Sequence, residues 1–160
     1  MPNRIDYTTL SAPLFEKFLA FAMSLPVGSS IEQPLLDLVN IRVSQLNSCA
    51  FCVDMHVKEA KIHGERELRI HHLTIWRESD LFSPRERAAL ALAETMTNLP
   101  DGGVTDEVLA AVREELTEQE VSDLMYSVVA INGWNRFNAV ARATPGSLDE
   151  MYGLTKAGLS

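Results

Sequence analysis

Several features that would assign the chain to a special class of protein are scarce or missing. It has two cysteines among 160 residues, both in one Cys-x-x-Cys, and in a reducing compartment such a pair is rarely a structural cross-link. No apolar run is long enough to cross a membrane, and eight glycines with seven prolines are too few to indicate wholesale disorder. Residues 1–6, MPNRID, lack the basic and then apolar pattern of a secretory signal, so we expect a cytoplasmic protein.

Positive charge is scarce as well. Lysine and arginine number 14 against 22 aspartates and glutamates, which gives a formal net charge of -8. Such a surface repels a phosphate backbone, and no basic patch in the sequence offsets it. We therefore expect neither a nucleic-acid partner nor a membrane partner.

What the sequence does contain is a regular helical pattern. Hydrophobic residues make up 46% of the chain, enough to enclose one core at this length. Apolar residues recur at three- and four-residue spacing almost everywhere, alternating β-branched patterns are scarce, and no linker or internal repeat interrupts the chain. We therefore expect one all-α domain over residues 1–160, a bundle of about six to seven helices, with a loosely held tail over 146–160.

Local signals place the helix boundaries. Pro26 and Gly28 should end the first helix, and Gly64 should supply the left-handed residue after the cysteine helix. Residues 83–86 (SPRE) and 117–120 (TEQE) have the form of capping boxes, and Thr105 is a further cap. Four predicted helices cover about 13–24, from after Ser29-Ser30 to 46, 49–63 and 67–76, and Asn47 or Ser48 is the expected cap of the third. Three more begin at 84, 106 and 118, and the last of these should end near 144.

Cys49, Cys52 and His56 are the residues that point to chemistry. They are three and four positions apart, so on a helix they share one face within roughly 60° of arc. In the first turn, free N–H groups and the helix dipole favour a thiolate. An imidazole one turn later can accept the thiol proton, and the two sulfurs can close a disulfide. Two cysteines and a histidine also provide three ligands for zinc, although nothing else in the sequence completes such a site.

The surrounding sequence resembles the alkyl hydroperoxidase D-like group of the carboxymuconolactone decarboxylase-like superfamily. The signature of that group is an acidic residue, eleven residues, then Cys-x-x-Cys-x-x-x-His, which Asp37, Cys49, Cys52 and His56 match. The resemblance covers about 34–142, taken as the core of the domain. Further matching segments are RVSQLN from Arg42, WRES from Trp76, RERAALALAE from Arg85 and INGWNR from Ile131.

The resemblance implies a thiol peroxidase that reduces organic hydroperoxides or H2O2. Cys52 would be the peroxidatic thiolate, Cys49 would resolve its sulfenic acid to a disulfide, and His56 would move the proton with help from Asp37. A dithiol of the thioredoxin or lipoyl type would be the reductant, and no haem, flavin or metal would be required. The family assembles as dimers, trimers or hexamers, so we expect a homo-oligomer with the cysteine pair near a subunit boundary.

Two departures from the family pattern stand out. Asp37 is one methylene shorter than the usual glutamate, so its action on the thiol would need a bridging water. Phe51 lies between the cysteines where the founding enzymes carry histidine, which removes one possible relay member. Asp37 also has a structural interpretation, as a helix residue paired with Arg42 or Lys58.

Other interpretations of the motif and of its neighbours remain open. The chain would instead be a lactone decarboxylase of the same superfamily if catalysis did not need the cysteines. It would be a redox-sensing module if the disulfide formed without turnover. Outside the motif, His63 should cap the end of its helix, and Asn135 and Arg136 should make structural hydrogen bonds or brace the site.

Overall fold

A computed structural model of the chain describes residues 4–159. Residues 1–3 and Ser160, the last position of the predicted tail, lie outside it. Residues 4–159 contain no strand, which agrees with the all-α prediction, and none of their helices is both long and apolar enough to span a membrane. The α-helices are α1 Tyr7–Leu10, α2 Ala12–Gly28, α3 Gln33–Leu46, α4 Ala50–Ile62, α5 Glu67–His72, α6 Pro84–Thr97, α7 Asp106–Arg113, α8 Glu118–Ala141 and α9 Asp149–Tyr152, with 3-10 turns at Leu73–Glu78 and Leu154–Ala157.

Within the described residues the nine helices exceed the predicted six to seven. Two of them, α1 and α9, are single turns of four residues that are too short to show a hydrophobic period. The segment predicted as one helix over 67–76 divides into α5 and a 3-10 turn. The 3-10 segment is itself kinked at Ile75, which has non-helical backbone angles, and Trp76 in it donates from Nε1 to Glu94 on α6 at 2.9 Å.

Helix α3 is the central element of the fold. One of its faces, including Leu35, Val39 and Val43, packs into a core cluster with α6, α7 and α8. Leu38 and Ile41 lie on the other face, in a second cluster with α4, α5 and the turn that contains Trp76. Full burial of an aliphatic side chain of this size contributes about 1.5–3 kcal/mol. The helix is therefore rigidly held, and so are the residues it carries towards α4.

The predicted caps are largely confirmed. Ser83 and Thr117 form complete capping boxes with Glu86 and Glu120, and the Thr105 side chain accepts from Val108 N. Helix α8 ends at Ala141, earlier than predicted. The residue after it, Arg142, adopts left-handed backbone angles and terminates the hydrogen-bonding pattern.

Two predicted helix ends were wrong. Pro26 does not end α2, because the helix continues through it to Gly28. Because Pro26 lies in the last turn, the only intrahelical hydrogen bond lost to its missing N–H is one near the end of the helix. Neither Asn47 nor Ser48 caps α4. Ser48 instead adopts a left-handed conformation (φ 52°) in the α3–α4 turn, and Cys49 is the cap.

The C-terminal segment is attached more closely than the sequence suggests. Leu154 is buried, and Lys58 on α4 bridges Asp54 and Asp149 at 2.8 and 2.7 Å. The Gly146 N–H also donates to Asp54 at 2.9 Å. These long-range contacts hold the segment against α4.

Helix α2 lies across α8 without burying any residue completely. The two helices meet through aromatic rings, of which Phe18 and Trp134 have centroids 4.6 Å apart. Gly133 makes this approach possible, since a Cβ at that position would lie 2.6 Å from Phe18 Cζ. Helix α2 is thereby placed as one wall of a cavity that opens towards α4.

Candidate functional site

The two cysteines lie at the N-terminus of α4 and are joined as a disulfide, with Cα atoms 5.3 Å apart. Cys49 is the N-cap residue, and its Sγ accepts a hydrogen bond from the Cys52 N–H at 3.3 Å. Both residues are buried. The three-residue spacing therefore brings the sulfurs within bonding distance, as predicted, at the positive end of the helix dipole.

Asn138, from the C-terminal part of α8, contacts the sulfur of Cys52. Its Nδ2 donates to Cys52 Sγ at 3.5 Å, and its Oδ1 accepts from the hydroxyl of Tyr7 on α1 at 3.2 Å. Burial, and to a lesser degree the nearby Tyr152, raises the pKa of Tyr7, so its phenol stays protonated. Neither residue was predicted, because no local spacing connects positions 7 and 138 to the cysteine motif.

His56 lies on the same helix, one turn after Cys52. Its Nδ1 is within 2.6 Å of Glu59 Oε2, three residues further along α4. A carboxylate at Nδ1 holds the Nδ1–H tautomer of a neutral imidazole and leaves Nε2 as the accepting atom. The i to i+3 spacing was visible in the sequence and would have identified Glu59 as a partner.

Asp37 is placed differently from the sequence expectation. Its carboxylate is almost fully buried, with 2% exposure, and accepts from Gln33 Nε2 at 2.8 Å. Its second oxygen is 2.6 Å from His63 Nδ1 at the C-terminal end of α4. Within residues 4–159 neither Cys52 nor His56 is hydrogen-bonded to it.

The structural partners suggested for Asp37 were also wrong. Arg42 forms its ion pair with Glu94, and Lys58 pairs with Asp54 and Asp149. His63 follows the last residue of α4, as predicted. Its partner, however, is the Asp37 carboxylate rather than the helix dipole alone.

A cavity of about 500 Å³ connects these groups. Its walls are mainly apolar side chains of α2, α4 and α8. Cys52, His56, Glu59 and His63 line it, whereas Cys49 and Asp37 are not among its lining residues. Phe51, which takes the place of the family histidine, also faces the cavity. An apolar molecule in this space would therefore meet the Cys52 side of the disulfide.

Of the two residues predicted to brace the site or make structural hydrogen bonds, Asn135 holds the turn that precedes the cysteines. Asn135 Nδ2 donates to Ser44 Oγ at 3.1 Å, and Asn135 Oδ1 accepts from Asn47 Nδ2 at 2.9 Å. These bonds link α8 to the end of α3 immediately before Cys49. Arg136 instead binds back to Asn132 within α8. The side chains of residues 4–159 include no group of three or more His, Cys, Asp or Glu arranged to hold a metal ion.

Comparison with known proteins identifies the family. Residues 12–95 match the model of the carboxymuconolactone decarboxylase family, slightly more than half of the chain. The uncharacterized protein YdfG of Bacillus subtilis is 41% identical over 138 residues, which cover 86% of this chain and 93% of YdfG. A solved Agrobacterium tumefaciens protein of unknown function, suggested to be the antioxidant defence protein AhpD, superposes with a TM-score of 0.85 at 31% identity and covers 89% of this chain and 97% of its own. The chain is an AhpD-like member of the carboxymuconolactone decarboxylase family.

The AhpD-like fold is shared with proteins of other activity. The debrominase Bmp8 superposes with a TM-score of 0.77 over 94% of this chain and 80% of its own, at 16% identity. At that identity the likeness concerns the fold alone. Which reaction this AhpD-like chain performs has to be inferred from its own side chains.

Proposed function

We propose that the protein is a thiol-dependent peroxidase that reduces hydroperoxides through Cys49 and Cys52. The observation that carries the proposal is a cysteine pair, bonded at the N-terminus of α4, whose Cys52 member lines an apolar cavity together with His56. A reversible disulfide beside an imidazole and next to a space for an apolar molecule is suited to two-electron reduction of a peroxide.

In the reaction, the Cys52 thiol passes its proton to His56, and the resulting thiolate attacks the terminal oxygen of the hydroperoxide. An S–O bond forms, the O–O bond breaks, and the alkoxide leaves with a proton from His56 as an alcohol, or as water when the substrate is H2O2. The Cys49 thiol then attacks the sulfenic sulfur of Cys52 and releases water, which forms the disulfide. An external dithiol reduces that disulfide and supplies the two electrons of the cycle.

The positions of the two sulfurs support different roles for them in this proposal. Cys52 faces the cavity, and Asn138 donates to its Sγ, so Cys52 is the peroxidatic residue. Cys49 lies behind it as the helix cap and is the resolving residue. His56, oriented by Glu59, is the proton carrier, and Asp37 assists only indirectly, by holding His63 in place on the same cavity wall.

The apolar lining of the cavity favours organic hydroperoxides as substrates. Because both cysteines are buried, we infer a thioredoxin-type or lipoyl-type dithiol as the reductant of the disulfide. The reduced state of the cycle fits a reducing cytoplasm. Helices α2 and α8 leave large apolar side chains exposed, among them Leu14, Val27 and Val140. This apolar surface supports a homo-oligomer.

The test is steady-state consumption of an organic hydroperoxide with a dithiol reductant. We expect Cys52→Ser to abolish turnover, and Cys49→Ser to stop it while accumulating a sulfenic acid that mass spectrometry detects. Full activity in Cys52→Ser would refute the assignment of the peroxidatic residue.

The same measurements separate the rival functions. Conversion of a lactone by the Cys49→Ser, Cys52→Ser double variant would identify a decarboxylase-type enzyme instead. Formation of the disulfide on exposure to oxidant, without turnover by any dithiol, would identify a redox-sensing module.

A further inference from the structure

We propose that Asn138 is a catalytic residue that stabilises the Cys52 thiolate by donating a hydrogen bond from Nδ2, and that Tyr7 is the residue that positions it. The proposal rests on the proposed function, because it concerns the reactive sulfur of that reaction. It adds two residues that lie outside the Cys-x-x-Cys-x-x-x-His motif, one on the first described helix and one near the end of the longest.

The orientation of the Asn138 amide is the first argument. An amide can present either a donor or an acceptor to a neighbour, and a thiolate can only accept. The Tyr7 hydroxyl donates to Oδ1 at 3.2 Å, which leaves Nδ2 directed at Cys52 Sγ, 3.5 Å away. A phenol with a raised pKa remains a donor over a wide pH range, so the amide keeps this orientation when the sulfur becomes an anion.

Burial is the second argument. Asn138 is only 8% exposed, and Cys52 is buried more completely still. Burial opposes formation of a thiolate, so an anionic sulfur in this position requires donors. A hydrogen bond to a charged acceptor is about twice as strong as a bond between neutral groups, and low local polarity strengthens it further.

The position of Cys49 at the helix cap is the third argument. The Cys52 N–H at the start of α4 points to Cys49 Sγ, at 3.3 Å. This backbone donor therefore serves the resolving sulfur of Cys49. For the Cys52 sulfur, the backbone of α4 then contributes only the helix dipole. The Asn138 side chain is the donor that distinguishes the two sulfurs.

Tyr7 is itself held in place for this role. Its ring stacks on Phe137, the residue before Asn138, with centroids 5.1 Å apart. Asp6 caps the single turn α1 by accepting from Thr9 N at 3.2 Å. A polar chain from Tyr7 through Asn138 to Cys52 thus crosses from α1 to α4 by way of α8.

The test is the titration of Cys52 in the reduced full-length protein, in a Cys49→Ser background so that only one thiol contributes. Thiolate is followed by its ultraviolet absorbance and by the rate of alkylation as a function of pH. We expect Asn138→Leu to leave about tenfold less thiolate at a given pH below the midpoint, since a hydrogen bond to a charged group is lost. Asn138→Asp should reduce it further, because a carboxylate at that position repels the thiolate.

Tyr7→Phe removes one oxygen from α1 and keeps the ring, so it tests the proposal even if Asn138 variants fold poorly. We expect about threefold less thiolate, because the amide loses its fixed orientation. Gln119→Ala, which removes an exposed amide elsewhere on α8, is the matched control and should match the parent. Circular dichroism establishes the helix content of each variant.

An unchanged Cys52 titration in folded Asn138→Leu, or in Tyr7→Phe where Asn138→Leu does not fold, would overturn the proposal. The titration uses no hydroperoxide, so its outcome is separate from the proposed function. A shifted titration in a protein without peroxidase turnover would leave Asn138 as the thiolate donor and refute the peroxidase assignment alone.

Discussion

Two imidazole–carboxylate pairs, one within α4 and one at its C-terminal end, differ in which partner is buried. His56 is the more buried member of its pair, with a side chain 16% exposed, while its partner Glu59 is 33% exposed. In the second pair the His63 side chain is 40% exposed, and its partner Asp37 is 2% exposed. The first pair is formed within one helix and the second joins α4 to α3.

Because of this difference in exposure, we expect the two pairs to have different roles. A half-buried imidazole one helical turn after Cys52, with a more exposed carboxylate at its Nδ1, can exchange a proton and pass it outwards. The buried Asp37 carboxylate, bonded to Gln33 and His63, instead fixes α3 against the end of α4. Its removal should therefore lower the stability of the fold rather than act on the reaction directly. In this chain the acidic residue of the motif, Asp37, therefore contacts His63 rather than His56, and Glu59 is the partner of His56.

The largest expected effect is a difference in kcat/KM between variants of the two histidines. His56→Ala should lower kcat/KM for an organic hydroperoxide roughly a hundredfold, since the proton carrier is lost. His63→Ala should lower it less than roughly tenfold, because His63 lines the cavity away from the sulfur. Steady-state kinetics with a saturating dithiol measures both, and His71→Ala on the exposed side of α5 is the control. Equal losses in the two variants would remove the functional distinction between the pairs.

The next effect is on stability and concerns the two carboxylates. Asp37→Asn keeps the size of the side chain but replaces an acceptor oxygen with an amide nitrogen, which faces either Gln33 or His63. Loss of the charged acceptor, with one oxygen left to serve two neighbours, should cost about 2 kcal/mol in the free energy of unfolding. Denaturant unfolding measures it, with the exposed Glu67→Gln on α5 as a matched control that should stay close to wild type. A wild-type unfolding midpoint for Asp37→Asn would contradict the interpretation that this pair fixes α3 against the end of α4.

The smallest effect is expected at Glu59. Glu59→Gln should cost less than about 0.5 kcal/mol in stability, because the carboxylate is partly exposed and the pair is local. Its kcat/KM should nevertheless fall several-fold to roughly tenfold, because His56 loses the carboxylate that fixes its tautomer. Nitrogen-15 NMR of the imidazole ring reports the tautomer directly. A His56 tautomer that changes in Asp37→Asn and not in Glu59→Gln would reverse the assignment of partners.

Much of the helical fold follows from local sequence. The capping boxes at Ser83 and Thr117 were predicted correctly, because each needs only residues within one turn. The end of α2 and the cap of α4 were not, since a proline in a last turn and a sulfur acting as cap both depart from the usual residue preferences. The attachment of the tail could not be predicted either, because it depends on Lys58 meeting Asp149 across ninety-one positions.

The candidate site divides in the same way. The sulfurs and His56 share a helix face through their spacing, and Glu59 follows by the same rule. Asn138 and Tyr7 reach Cys52 only because α8 and α1 pack beside α4, so no spacing signal connects them. The partner of Asp37 was also undetermined, since Arg42, Lys58 and His63 are all cations or donors within reach of a helix residue at that position.

By itself, the sequence determined the helical class, the caps made by neighbouring residues, and a thiol pair with an imidazole on one face of a helix. These depend on interactions within about one turn, which the order of residues specifies directly. Only the tertiary structure decided that Asp37 binds His63, that Asn138 donates to Cys52, and that α2 encloses a cavity over the sulfur. The physical reason is that each of these depends on how buried faces of separate helices pack, and packing chooses among partners that are equally compatible with the local sequence.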